Sequence, residues 1–298
     1  MNQDYGKIIK MEDIRRISIG EKDYPAALKT IQDPPKVLYF KGNFDITKKH
    51  CFAIVGTRRC SPYGKQAALE IAGGLTTAGL VIISGMARGI DTTAHLGCLE
   101  SNGKTIAVLG TGLDIQSIYP QTNLKLAQEI IEKGGLLISE YPPGTHGSRI
   151  TFPKRNRLIA GLALGVLVVE AKRKSGSLIT ADWAKKQRKR IFAIPGPIHS
   201  LNSWGPNHLI KRGAKLVTST NDILKELDLA CPTPSVGQKG ETPEEDIVLK
   251  ALQESSLSID KITEQTNLPV SVVASILTQL EIKNKVRNLG GNIYVLSR

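Results

Sequence analysis

Arg149-Ile-Thr-Phe152-Pro-Lys154-Arg155-Asn156-Arg157 sets one aromatic residue among four cations. A single nucleic-acid strand is held by that mixture, with cations along the phosphates and a ring to stack on an unpaired base. The plainer reading is a solvated basic turn with Phe152 in the core. Other segments add to the first reading. Ile54-Val-Gly56-Thr57-Arg58-Arg59 ends an apolar run on a glycine. Backbone amides there can approach a ligand, and the following helix N-terminus favours an anion. Arg58 would add a bidentate grip on phosphate. Ser84-Gly85-Met-Ala-Arg-Gly89-Ile-Asp91 leads into a second helix. Its serine and glycines are expected to free several N–H groups as a phosphate nest. Asp91 and His95, four apart on that helix, are expected to hydrogen-bond each other and fix the loop. Lys172-Arg173-Lys174-Ser175-Gly176-Ser177 follows a strand, with Ser177 or Thr180 as the expected helix cap.

Other chemistries leave little trace. GxSxG and GxGxxG are both absent, and Gly110-Thr-Gly112 meets Ile at position 115. The stretch from Gly97 to Thr105 has one residue too many between its glycines for a Walker A loop. It also runs from helix to strand, the wrong way round. Cys51, Cys60, Cys98 and Cys231 form no CxxC pair, and no histidine stands at zinc-ligand spacing from them. Free thiols in a reducing cytoplasm are expected, with no catalytic residue, metal or cofactor.

The formal net charge is +13 over 298 residues, which attracts polyanions. Its location is more telling than its total. Residues 141–215 carry 15 Lys or Arg against Glu170 and Asp182 alone, whereas residues 241–298 carry 6 basic and 8 acidic side chains. The run Lys185–Arg190 reads as a solvated helix face without a binding role. No apolar run reaches membrane-spanning length and no signal pattern opens the chain, so a soluble cytoplasmic protein is expected, with no membrane partner.

The elements that must position these loops are legible as apolar runs separated by helical spacing. Phe52–Val55, Leu80–Ser84, Thr105–Leu109, Leu136–Ser139, Val166–Glu170, Ile191–Ile194 and Lys215–Val217 read as strands, apolar on both faces as in a helix-covered parallel sheet. Between the first two, Ser61 suits a cap, Pro62 the first helical position and Gly79 the stop. This alternation predicts an α/β fold: a Rossmann-like, doubly wound, mostly parallel sheet spanning 46–228. Residues 1–45 are expected to be an extension packed on the sheet, with strands at Ile14–Ile19 and Val37–Lys41 around a helix at Tyr24–Ile31. Residues 229–244 read as a Pro- and Gly-rich linker. In 245–298, helices at Glu245–Gln253, Ser258–Thr266 and Ser271–Ile282 precede a hairpin of Val286–Leu289 and Ile293–Leu296. That pattern predicts a small C-terminal winged-helix domain. Its acidic balance points to a protein contact or an auxiliary role, not to duplex reading.

Taken in order, these motifs resemble the DNA-processing protein A family (DprA, also called Smf). The matching residues are Ile54-Val-Gly56-Thr57-Arg58, Ser84-Gly85 through Gly89-Ile-Asp91 with His95, Ile138-Ser-Glu-Tyr-Pro142, Phe152-Pro-x-Arg155-Asn156-Arg157, Ser175-Gly176-Ser177-Leu-Ile-Thr180 and Pro195-Gly196. The resemblance implies a Rossmann-like domain that binds single-stranded DNA, forms a homodimer and loads the RecA recombinase in natural transformation. It places the phosphate-gripping arginine on Arg58, a further basic contact on Arg149 and the base-contacting aromatic on Phe152. Some relatives carry an N-terminal helical domain of the SAM type, and this chain is expected to start too late for one. The full expected DNA-binding set is Gly56, Thr57, Arg58, Ser84, Gly85, Arg149, Phe152, Arg155, Asn156, Arg157, Ser175, Gly176 and Ser177. Two rival readings are a nucleotide-hydrolysing enzyme of the phosphoribohydrolase type and a winged-helix transcription regulator. The first would need a Pro-Gly-Gly-x-Gly-Thr motif, which Pro143-Gly144-Thr145 does not supply.

Overall fold

The computed structural model describes residues 13–230, 240–252, 257–283, 285–288 and 291–296. The chain divides into two compact units, Met1–Cys231 and Pro232–Arg298. The first is built on a nine-stranded sheet in the order β1-β2-β6-β5-β4-β3-β7-β8-β9. Its strands are β1 (Arg15–Ser18), β2 (Val37–Gly42), β3 (Cys51–Val55), β4 (Val81–Ser84), β5 (Thr105–Leu109), β6 (Leu136–Ser139), β7 (Gly165–Val168), β8 (Arg190–Ala193) and β9 (Lys215–Leu216). From β3 to β9 every pairing is parallel. β2 joins β6 antiparallel and β1 joins β2 antiparallel, so the N-terminal strands extend this same sheet. The helices are α1 (Ala26–Lys29), α2 (Pro62–Thr77), α3 (Ile90–Glu100), α4 (Leu124–Glu132), α5 (Thr151–Leu162), α6 (Gly176–Lys186), α7 (Trp204–Lys211) and α8 (Thr220–Glu226).

Both faces of the sheet are covered, which is why its strands are apolar throughout. Side chains alternate along β3. Ala53 and Val55 therefore enter a core with Leu158 and Ile159 of α5 and Ala181 and Ala184 of α6. Phe52 and Ile54 enter the opposite core, with Ala68, Ile71 and Leu75 of α2 and Ile90 and Ala94 of α3. Helix α2 starts as its sequence suggests: the Ser61 hydroxyl accepts from the Gly64 N–H and Pro62 fills the first position. Gly79, at φ +87°, provides the left-handed turn after it.

One expectation fails inside α3. Asp91 and His95 do not bond each other. Asp91 Oδ2 turns back to accept from the Gly85 and Ala87 N–H groups, at 3.2 and 3.3 Å. His95, fully buried, has Nδ1 2.7 Å from Thr105 Oγ1, and that hydroxyl donates to the Ile82 carbonyl. Nδ1 is therefore the protonated nitrogen. Burial, and secondarily the Arg155 guanidinium, push the His95 imidazole down from 6.5 to about 3. The unfolded chain then binds a proton on this side chain between those values while the folded chain does not, so stability falls as pH falls through that window. The slope is about 1.4 kcal/mol per pH unit. Asp91 is raised by burial and acts with the opposite sign, which a comparison with His95→Gln cancels. Urea midpoints from pH 7 to pH 5 are expected to show the parent losing about 2 kcal/mol more than His95→Gln. Equal losses would remove His95 as the acid-labile group.

The second unit has α9 (Pro243–Ala251), α10 (Ile259–Thr266) and α11 (Val270–Ile282) over a small sheet ordered β10 (Leu257–Ser258), β12 (Ile293–Leu296), β11 (Val286–Asn288). Val248, Leu249, Ile262, Val273, Leu277 and Tyr294 form its core. Asn267, at φ +55°, turns the chain from α10 towards α11. Lys283 closes the unit with ion pairs to Glu241 and Glu245, both at 2.9 Å. Three helices with a three-stranded sheet are a winged helix-turn-helix. Cys231, the central part of the expected linker, and the hairpin residues Leu289 and Gly290 lie outside the described residues.

Candidate nucleic-acid interface

The strand order reverses between β3 and β7: the chain steps outward through β4, β5 and β6 on one side and through β8 and β9 on the other. Loops leaving neighbouring strands at such a point diverge and leave a crevice beyond the carboxyl ends. A groove of about 810 Å³ opens there, lined by the loops after β3 and β7 and by the start of α5.

Gly56 and Gly89 bring the first two loops together. A Cβ on Gly56 would fall 2.5 Å from Ile90 Cγ1, and one on Gly89 would fall 2.4 Å from the Thr57 carbonyl oxygen. Thr57 is held by its N–H, which donates to the Glu170 carbonyl at 2.7 Å. Arg58 and Arg59 are left exposed at the groove.

Phe152 stands in the first turn of α5. Ser148 and Thr151 bond each other reciprocally there, the Ser148 N–H to Thr151 Oγ1 at 2.9 Å and the Thr151 N–H to Ser148 Oγ at 3.1 Å. That turn leaves Arg149 exposed. Phe152 is half-buried, seated on Gly110 and Gly147, where added Cβ atoms would lie 2.9 and 2.3 Å from its ring. Its ring meets Tyr119, 51% exposed, with centroids 5.6 Å apart. The Arg58 guanidinium lies 5.7 Å from the Phe152 centroid. Tyr119 belongs to a loop fixed by Asp114, whose carboxylate accepts from the Gly144 N–H at 2.7 Å and the Ser117 hydroxyl at 2.8 Å.

Three expected cations behave differently from one another. Arg149 is exposed at the groove. Arg155 is buried beneath it: Nη1 donates to the Gly85 carbonyl at 2.8 Å and to the Val108 carbonyl, and Nε donates to Asn156 Oδ1 at 3.0 Å. Burial lowers its guanidinium to about 10, and Arg58 adds to that, so it stays charged at neutral pH. Asn156 relays the contact, donating to the Gly176 carbonyl at 3.1 Å. Arg157 does not reach the groove. Its side chain is 1% exposed and grips Glu140 with Nη1–Oε1 at 3.0 Å and Nη2–Oε2 at 2.7 Å, while Nε donates to the Asp33 carbonyl. The expectation of an exposed phosphate contact at Arg157 is thus corrected: helix α5 is packed on every side from Arg155 onward.

Two expected anion seats are filled from within. The amides after Ser84 are taken by Asp91, and the Ser84 hydroxyl, fully buried, donates to the Ile54 carbonyl at 2.6 Å. At the start of α2, Glu170 accepts from the Ser61 N–H at 2.8 Å and from its hydroxyl at 2.5 Å. The start of α6 is different. Ser175 caps it, accepting from the Ser177 N–H, so Ser177 and Thr180 are not the cap. Gly176 faces open space, and Ser175, Gly176, Ser177 and Thr180 all line the groove. No acid stands in the first turn of α6, so its N-terminus is available to an external anion.

The family model described as DNA recombination-mediator protein A matches residues 15–228, and the model of the DprA winged helix domain matches residues 232–292. The chain belongs to the DNA recombination-mediator protein A family. It is 48% identical to the DNA processing protein DprA of Streptococcus pneumoniae, over 71% of this chain and 73% of the relative. It is 37% identical to protein Smf of Escherichia coli, over 92% and 75%. Among solved structures, DNA processing protein A from S. pneumoniae superposes with a TM-score of 0.68 at 46% identity, covering 72% of this chain and 75% of that one. The protein from Helicobacter pylori, described for its unique single-stranded DNA binding mode, gives a TM-score of 0.65 at 34% identity, covering 72% and 98%.

Within this family member, sequence reasoning left out Arg59, Tyr119, Lys172 and Lys174, all of which line the groove. Lys172 and Lys174 sit in the same loop as the expected contacts Ser175 and Ser177. Tyr119 carried no local signal, since its aromatic partner lies 33 residues further on. Arg58, Arg59, Arg149, Lys172 and Lys174 make no ion pair within 4 Å among the described residues. Among those residues, too, no helix is long and apolar enough to cross a membrane.

Proposed function

We propose that this chain binds single-stranded DNA in the groove at the switch point, without chemistry on the strand. The observation that carries the reading is the juxtaposition of unpaired cations, on the β3 and β7 loops and at Arg149, with the ring pair Phe152–Tyr119. Arg58, Arg149, Lys172 and Lys174 would follow the phosphates, and the α6 N-terminus would take one of them. Phe152 would stack on a base, which requires an unpaired strand. Arg155 and Asn156 support that surface from below, and Gly56 and Thr57 hold the Arg58 loop in place. The described single-strand binding of the H. pylori relative supports this assignment. The buried acids Asp91 and Glu170 are both engaged with the protein's own donors, which favours a binder over a hydrolase.

The test is binding of matched single and double strands over a salt series. Single strands are expected to bind more tightly, with a log–log slope of about −0.7 per phosphate contacted. Equal affinity for duplex, or affinity insensitive to salt, would sink the proposal. Cutting the chain after residue 230 is expected to retain single-strand binding. Helix α11 contains no Lys or Arg, so loss of binding on truncation would instead revive a winged-helix regulator.

The finer reading is that the chain works in the cytoplasm as a homodimer and passes its strand to the RecA recombinase in natural transformation or other recombination. Membership of a recombination-mediator family supports it. It predicts faster RecA filament assembly on single strands already coated by another binding protein, and a dimer mass in sedimentation.

A further inference from the structure

We infer that the strand continues from the Phe152 groove onto a second stacking platform built by Trp204 and His208, bridged by the cationic loop at Lys172–Lys174. The inference rests on the single-strand reading above.

Trp204 opens α7, one helical turn before His208, and the two rings stack with centroids 4.7 Å apart at 13°. The Arg173 guanidinium lies 5.7 Å from the Trp204 centroid. The buried positions in this first turn are Ser203, Gly205 and Pro206, while Trp204 remains 39% exposed. A large indole left half in water, beside a stacked ring and a guanidinium, repeats the chemistry of Phe152, Tyr119 and Arg58.

The platform is fixed relative to the groove by the backbone. The Ala171 N–H donates to the Asn202 carbonyl at 2.7 Å, and the Gly205 N–H donates to the Ala171 carbonyl at 2.7 Å. Residues 202–205 are therefore clamped to Ala171, and the very next residue, Lys172, lines the groove. The Asn202 side chain donates to the Arg59 carbonyl at 3.1 Å, which ties the same turn to the loop that carries Arg58. Lys172, Arg173 and Lys174, between the two aromatic sites, have no carboxylate within 4 Å among the described residues. Stacking at one end, an unpaired cationic loop and stacking at the other end suit one continuous strand. Ile198 and Leu201, 85% and 73% exposed on the same connection, give the competing occupant: another protein surface.

The chain has two tryptophans, Trp183 and Trp204, so Trp183→Phe makes Trp204 the sole indole reporter. The full chain carrying that substitution is titrated with oligothymidylates of about 4 and about 16 nucleotides. Trp204 emission is expected to be quenched by the long strand alone, in step with its binding. Trp204→Ala is expected to weaken the long strand about 10-fold and leave the short one unchanged, with Trp204→Phe recovering most of the loss. Binding of the long strand with Trp204 emission unmoved would overturn the platform. So would equal losses on both lengths, or a change in sedimentation mass without a change in affinity, which would assign Trp204 to a protein contact. If neither strand binds, or Arg58→Ala has no effect on either, the single-strand reading itself fails and the platform with it.

Discussion

Arg58→Ala is expected to weaken binding of a short single strand by about 10- to 100-fold, the loss of one charge-assisted contact. The salt slope should become shallower by about 0.7, one phosphate fewer. Phe152→Ala should weaken binding by a similar amount, about 1–3 kcal/mol, and leave the slope in place, because a base stack releases no counterion. The two measurements separate the roles proposed for the Arg58 guanidinium and the Phe152 ring, whose centroid lies 5.7 Å from it. Both variants should fold normally: Arg58 is exposed and unpaired, and Phe152 is only half-buried. A slope unchanged by Arg58→Ala would place the phosphates elsewhere on the basic surface.

Arg157→Ala is expected to do the reverse, costing stability of about 3–5 kcal/mol and leaving the salt slope alone. Its guanidinium is the bidentate partner of Glu140, whose side chain is also buried, so truncation strands a carboxylate. Lys154 Nζ, 3.7 Å from Glu140 Oε2, can take over part of the pairing and holds the loss towards the lower end. Replacing both partners at once, Arg157→Met with Glu140→Leu, should recover much of it, since no unpaired charge remains. Urea unfolding monitored by circular dichroism gives the first result, and a salt series on the surviving folded protein gives the second. A marked fall in slope at full stability would return Arg157 to the interface.

The contrast between these arginines shows where reading residues in a row loses its power. Arg149, Arg155 and Arg157 have the same chemistry and lie within nine residues, yet one is exposed, one supports the groove floor and one is a core ion pair. A helix on a solvent face separates its sides by period. Helix α5 is instead enclosed, with Leu28 and Ile31 against Gly161 and the sheet against Leu158 and Ile159, so its period no longer marks a wet side. The amide nests fail as expectations for a related reason. Whether N–H groups at a helix start await a ligand depends on where distant carboxylates fall. Glu170 reaches the α2 start from 109 residues away, and Asp91 folds back on Gly85 from its own helix.

The alternation of buried strands and capped helices, the basic and Gly-bearing loops at strand ends, the concentration of charge in residues 141–215 and the set of motifs that mark the family are all legible in the sequence alone. These follow from local propensity, period and composition, which act within a few residues. The tertiary structure decided what depends on contacts across the chain. It set the reversal of strand order between β3 and β7 that opens the groove, and it paired Tyr119 with Phe152. It also closed two of the anion seats with internal carboxylates and left the α6 N-terminus open. Each of those outcomes turns on burial and on the nearest charge in space, and neither quantity is a property of neighbouring residues in the chain.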